Sequence, residues 1–131
     1  MQFLYDIGIR LMSIGIRTHA LFNKKSKAFI GGRKNLFGNL PNLTEKKVVW
    51  FHCASLGEFD QGLPLMELIK EKQPEVFLLV TFFSPSGYEH YQKRNHPVDY
   101  ATYMPIDTRS NAKRFIAQVN PEAVFFVKYE F

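Results

Sequence analysis

The chain has 131 residues, 46% of them hydrophobic, with 13 Phe and one cysteine, Cys53. That is one domain's length with enough apolar side chain for a core, which excludes disorder. The lone cysteine excludes an internal disulfide and a cysteine-cluster metal site, and fits a reducing compartment. The net charge of +5 is unevenly placed: residues 1–34 carry seven bases against Asp6 alone, and the remainder nets −1. A nucleic-acid binder would carry its bases on the folded body, so the sequence predicts no nucleic-acid partner.

In chain order, "MQFLYDIGIRLMSIGIRTHALF" places Phe3, Leu4, Ile7, Leu11, Ile14 and Leu21 near helical spacing, with Arg10 and Arg17 on another flank. Asp6, Arg10 and Arg17 break the apolar run, against both a cleavable signal and a plain membrane-spanning helix. An amphipathic helix followed by "NKKSKAFIGGRKN" suits the surface of an anionic membrane. The competing reading is a helix packed on the body with a solvated basic loop behind it. Residues 1–34 are thus expected as a membrane-associating helix and basic segment, 35–47 as a linker, and 48–131 as the folded body.

"VVWFHCA" has the length and continuous apolarity of a strand buried on both faces. "LGEFDQGLPLMELIKEKQP" offers Phe59, Leu63, Met66 and Ile69 at helical spacing, with Pro64 implying a later start or a kink. "EVFLLVTFF" is a second strand. Ser84 as cap and Pro85 at the first helical position then open a helix. "VDYATYMP" is a short third strand. Asp107 is expected to cap a helix with Ala112, Phe115, Ile116 and Val119 on one face. "EAVFFVKYEF" is the fourth strand. Alternating strands and helices predict an α/β fold, a parallel sheet flanked by helices, with ligands beyond the carboxyl ends of its strands.

Three features fall at that edge: Glu58 after the first strand, Ser84 to Gly87 after the second, and Glu130 at the end of the fourth. Glu58 fits a helix start, where an anion is welcome, or a base. Glu130 is unusual for a strand, and either reaches water or helps bind a ligand. His52 reads as a satisfied core residue, Lys113 and Arg114 as a solvated helix face. No histidine spacing suggests a metal, and no phosphate-loop pattern suggests a nucleotide cofactor. On residues alone, a non-catalytic membrane-docked α/β module binding a small anion or a protein partner stays open.

Four blocks in order, "WFHCASLGEFDQGLPL", "LLVTFFSPSGYE", "YMPIDTRSNAKRFI" and "NPEAVFFVKYEF", resemble the N-terminal domain of the bacterial 3-deoxy-D-manno-octulosonic acid (Kdo) transferases. The resemblance runs from about Gly32-Arg33 to the end. It implies the N-terminal half of a GT-B glycosyltransferase, with two Rossmann-like domains facing a cleft. It also implies transfer of Kdo from CMP-Kdo to a lipid A precursor at the cytoplasmic face of the inner membrane.

In that family the pattern Ala54-Ser55-Leu56-Gly57-Glu58 carries the general base, which the resemblance assigns to Glu58. It places Ser55, Gly57, Ser84, Ser86, Gly87, Arg33 and Glu130 on the substrate side, and calls for neither metal nor cofactor. The turn Ser84-Pro85-Ser86-Gly87 stands where Thr-x-Thr-Gly is usual. Lys128-Tyr129-Glu130-Phe131 departs from the usual Glu-Thr-Glu-Leu, keeping only the second acid. Because a GT-B enzyme needs both walls of its cleft, this polypeptide alone is expected to be inactive.

Overall fold

A computed structural model describes the backbone of residues 1–128, and every side chain among them except that of Gln2. Three helices come first, α1 (Gln2–Ala20), α2 (Lys24–Gly31) and α3 (Leu36–Asn39). Strands β1 (Val48–Cys53), β2 (Phe77–Phe82), β3 (Tyr100–Tyr103) and β4 (Ala123–Val127) then alternate with α4 (Leu56–Lys72), α5 (Pro85–His90) and α6 (Arg109–Val119). All pairings are parallel, in the order β3-β2-β1-β4. The predicted α/β class and parallel sheet are therefore observed. β1 and β2 take the centre because their apolar runs are longest, and β4 lies at an edge with Phe126 59% exposed.

Strand alternation sorts the core onto two faces. Val49, Phe51 and Cys53 meet Phe59 and Met66 of α4, all buried. Val48 and Trp50 meet Leu36 of α3, Phe115 and Val119 of α6, and Tyr103. Leu36 and Leu43 are buried here although their segment reads as a linker, since a leucine among turn formers is short of neighbours only in the sequence.

Local chemistry differs from expectation in three places. Ser55 caps α4, which rules out the later start allowed for by the sequence and leaves Pro64 inside the helix. Pro64 cannot supply the N–H that would bond the Asp60 carbonyl, a cost the buried face of Phe59 and Met66 offsets. α6 is capped by Thr108, whose hydroxyl accepts from Asn111 N at 3.3 Å. Asp107, expected as that cap, accepts instead from the Tyr5 hydroxyl of α1 at 2.6 Å. The basic stretch 24–31 is helical, started by Asn23, whose side chain accepts from Lys25 N at 2.9 Å.

The first helix has two distinct faces. Asp6, Ile9, Ser13, Ile16 and Ala20 are half-buried at spacings of three and four, turned toward the body. Phe3 is 77% and Leu4 69% exposed, and Ile7, Leu11 and Ile14 follow them on the outer face. Lys113 and Arg114 are exposed, as expected of a solvated helix face, and the Arg114 guanidinium carbon lies 4.4 Å from the centre of the Phe37 ring.

Candidate active site at the carboxyl edge of the sheet

The loops after β1, β2 and β3 are stitched together by main-chain hydrogen bonds. Ser84 N donates to Ala54 O at 3.0 Å, and Met104 N to Phe82 O at 2.8 Å. Glu58 stands where these loops meet, in the first turn of α4 beside Gly57. Its Oε2 accepts from the backbone N–H of Ala54 and from that of Ser55 at 3.2 Å, while Glu58 N donates to Ser55 Oγ at 3.4 Å. This is a reciprocal capping box: two otherwise unpaired N–H groups fix the carboxylate's position. Glu58 is half-buried at the end of the sheet, and the cap reading of this residue is satisfied through Oε2.

Ser84 caps α5, accepting from Gly87 N at 3.3 Å and sharing a 2.8 Å hydrogen bond with Ser86 Oγ. Gly87 is required for space. A Cβ there would stand 2.7 Å from a Phe82 ring carbon and 3.2 Å from Leu56 N, so any side chain would push α5 off the start of α4. Gly32 has the same role at the end of α2, where a Cβ would overlap the Tyr103 ring at 2.0 Å.

Arg33, next in sequence, reaches into the site's outer wall. Its Nε donates to Met104 O at 2.8 Å, Nη1 to Phe29 O at 2.9 Å and Nη2 to Phe83 O at 2.9 Å. The guanidinium lies 3.6 Å from the Phe29 ring centre and 4.9 Å from that of Tyr103. Burial lowers its pKa to about 10, so it stays charged at neutral pH, and no carboxylate pairs with it among the described residues. Arg33 therefore holds the β2 and β3 loops in place through their carbonyls, a positioning role the sequence alone does not reveal.

His52, read from the sequence as a satisfied core residue, is half-buried and points to the α6 side. Its Nδ1 shares a 2.9 Å hydrogen bond with Thr81 Oγ1, which also accepts from Trp50 Nε1 at 2.8 Å. Burial lowers the His52 pKa, partly opposed by the charge of Glu58, so this neutral imidazole belongs electrostatically to the same edge. The Cys53 thiol is buried and pushed up to about 12, which makes it inert. Among the described residues, no cluster of His, Cys, Asp and Glu is fit to hold a metal.

A sequence profile described as 3-deoxy-D-manno-octulosonic-acid transferase (kdotransferase) matches residues 31–131. The chain belongs to the Kdo transferase family. Curated relatives agree. It is 35% identical over 86 residues to the 3-deoxy-D-manno-octulosonic acid transferase of Aquifex aeolicus, covering 66% of this chain and 24% of the relative. It is 31% identical over 80 residues to that of Chlamydophila psittaci, covering 60% and 18%. A bifunctional glycosyltransferase/methyltransferase of Fusobacterium nucleatum is 25% identical over 126 residues, 92% of this chain and 19% of the relative.

The chain thus spans a quarter or less of each of these relatives. The family's N-terminal domain is one wall of a GT-B glycosyltransferase, and the parallel sheet observed is that wall's architecture. Of the residues the sequence singles out in this Kdo transferase domain, Ser55, Gly57, Glu58, Ser84, Ser86 and Gly87 come together at one edge, with Arg33 behind the adjoining loops. Glu130 lies outside the described residues.

Proposed function

We propose that this chain is the acceptor-side part of an inverting glycosyltransferase that moves Kdo from CMP-Kdo to a lipid A precursor, with Glu58 as general base. The observation that carries this reading is the carboxylate fixed by two backbone N–H groups at the ligand-binding edge of a Kdo transferase family sheet. A sugar hydroxyl is a weak nucleophile at neutral pH, and a positioned base contributes about 10²–10⁴-fold. Glu58 takes the proton of the acceptor hydroxyl as that oxygen bonds to the anomeric carbon. The bond from that carbon to the CMP phosphate oxygen breaks on the opposite face, through an oxocarbenium-like state by analogy with glycoside hydrolysis. Ser55, Gly57, Ser84, Ser86, Gly87 and Arg33 shape the acceptor side, and Glu130 is assigned to acceptor positioning. Donor binding calls for the second wall, so transfer by these residues alone is not expected.

The test is Glu58→Gln in a full-length enzyme carrying this domain. Glutamine serves the same place in a capping box, so the melting temperature should be retained while turnover falls by about 10²-fold or more. Near-normal turnover would reduce Glu58 to a helix cap.

No helix among the described residues is long and apolar enough to cross a membrane. The outer face of α1, followed by Lys24, Lys25 and Lys27, supports peripheral docking on the anionic cytoplasmic face of the inner membrane. Vesicle flotation should show binding that weakens with salt and disappears on removal of residues 1–23. Equal binding to neutral vesicles would refute the electrostatic part.

A further inference from the structure

Two adjoining cavities flank α1, and neither is lined by Glu58, Ser55 or Ser84. The first, of about 600 Å³, lies between α1, α2 and the start of α6. Its walls include Arg10, Arg17, Arg33 and Lys34, and no carboxylate. The second, of about 390 Å³, lies beneath α1 and is mostly apolar, with Ile9, Met12, Trp50, Phe115 and Ile116 in its walls. Its one carboxylate, Asp107, already accepts from the Tyr5 hydroxyl. Phe29, Arg33 and Ile106 line both cavities, so the two share a wall.

Four cations around one concavity without a counter-charge repel one another and focus a positive potential on its interior. Arg33 makes the point most sharply, being a half-buried cation whose partners among the described residues are carbonyls and aromatic faces. An anion with several acceptor oxygens is the complement, and phosphate suits paired arginines. A small free anion would leave the neighbouring apolar cavity unused. An amphiphile fills both, and each volume falls in the range of ordinary ligand sites. Ile14 lines the basic cavity and is also 55% exposed on the outer face of α1, so the mouth opens where that face would meet a bilayer.

We propose that these cavities hold an anionic glycerophospholipid as an anchor, distinct from the sugar acceptor: its phosphate on Arg10, Arg17 and Lys34, and one acyl chain beneath α1 against Trp50. Only the route of entry rests on the membrane reading above. The cavities and their ligand stand apart from the role of Glu58, so a failed Glu58→Gln test leaves this proposal untouched.

Trp50 is the sole tryptophan, which makes its fluorescence a direct report on the apolar cavity. The probe is monoacylglycerol phosphate with a brominated chain, added to the 131-residue chain below the lipid's micelle concentration. Saturable quenching of Trp50 is expected. Binding should weaken by at least about tenfold in the Arg10→Gln/Arg17→Gln double variant, which loses charge-assisted hydrogen bonds to the phosphate. The same brominated chain on a zwitterionic choline headgroup should bind correspondingly more weakly. Ala112→Leu, which intrudes on the apolar cavity from an exposed position of α6, should reduce quenching without unfolding the domain. Absence of quenching overturns the proposal, as does equal quenching by the choline lipid or by the arginine variant. Displacement by an equal concentration of inorganic phosphate would make the ligand a free anion and overturn it as well.

Discussion

The two faces of the sheet are built from similar residues and end in different states. On the α4 face, Phe59 and Met66 lie fully buried against Phe51, Leu78, Val80 and Phe82, and Tyr91 closes the side. On the α6 face, Phe115 and Val119 are just as buried, but Ile116, one residue further round α6, is 55% exposed beside a cavity. That face also carries the polar chain Trp50–Thr81–His52. A sealed face sets stability. An open one, roofed by a helix attached at few points, keeps space for a ligand.

The largest expected effect tests that contrast directly. Phe59→Ala should cost about 3–5 kcal/mol in urea unfolding, since a fully packed site collapses poorly around a lost ring. Ile116→Ala on the open face should cost under about 1 kcal/mol. Similar losses at the two positions would mean that both faces are equally packed. A smaller effect sharpens the role of the α4–α5 junction: Gly87→Ala should cost about 1–3 kcal/mol, because the added methyl overlaps the Phe82 ring and meets the Leu56 backbone. An unchanged unfolding midpoint would show that α5 yields freely.

The smallest effect is a pH dependence on the open face. His52 has its pKa lowered below 6.5 by burial. Between the folded value and 6.5 the unfolded chain binds the extra proton, so stability is full above pH 6.5 and falls as the pH drops through that window. His52→Gln should flatten this acid-side slope in urea titrations at pH 5 and 7.5. A slope that persists would assign it to other groups.

Much of this contrast was legible in the residues, and the remainder was not for identifiable reasons. "VVWFHCA" and the spacing of Phe59 and Met66 announce a central strand and its covering helix, because periodicity and burial are local properties. The acidic helix start at Glu58 is equally local. The αβ alternation gives the carboxyl edge, and so the neighbourhood of Ser55 and Ser84. Asp107 is different. Asp107 and Thr108 are both good caps, and the choice is settled by Tyr5, 102 residues away in sequence. Arg33 could be matched to a family pattern, but two of its three carbonyl partners, Phe83 and Met104, lie in loops that only the fold brings together. The helix at 24–31 is hidden by its lysines, which give no apolar stripe, and is revealed by its contact with α1.

The β4 edge carries a practical consequence for handling the polypeptide. Val124, Phe125 and Phe126 are all partly exposed, and β4 pairs only with β1 among the described residues. A short apolar strand whose outer N–H and C=O groups are unpaired among the described residues is a template for another chain, and neither proline nor charge interrupts it between Ala123 and Val127. Concentrated preparations should therefore grow fibrous or oligomeric material from this strand first. A lysine at position 126, whose side chain is the most exposed of the three, is the substitution that would keep the protein in solution by placing a charge where strands would otherwise stack.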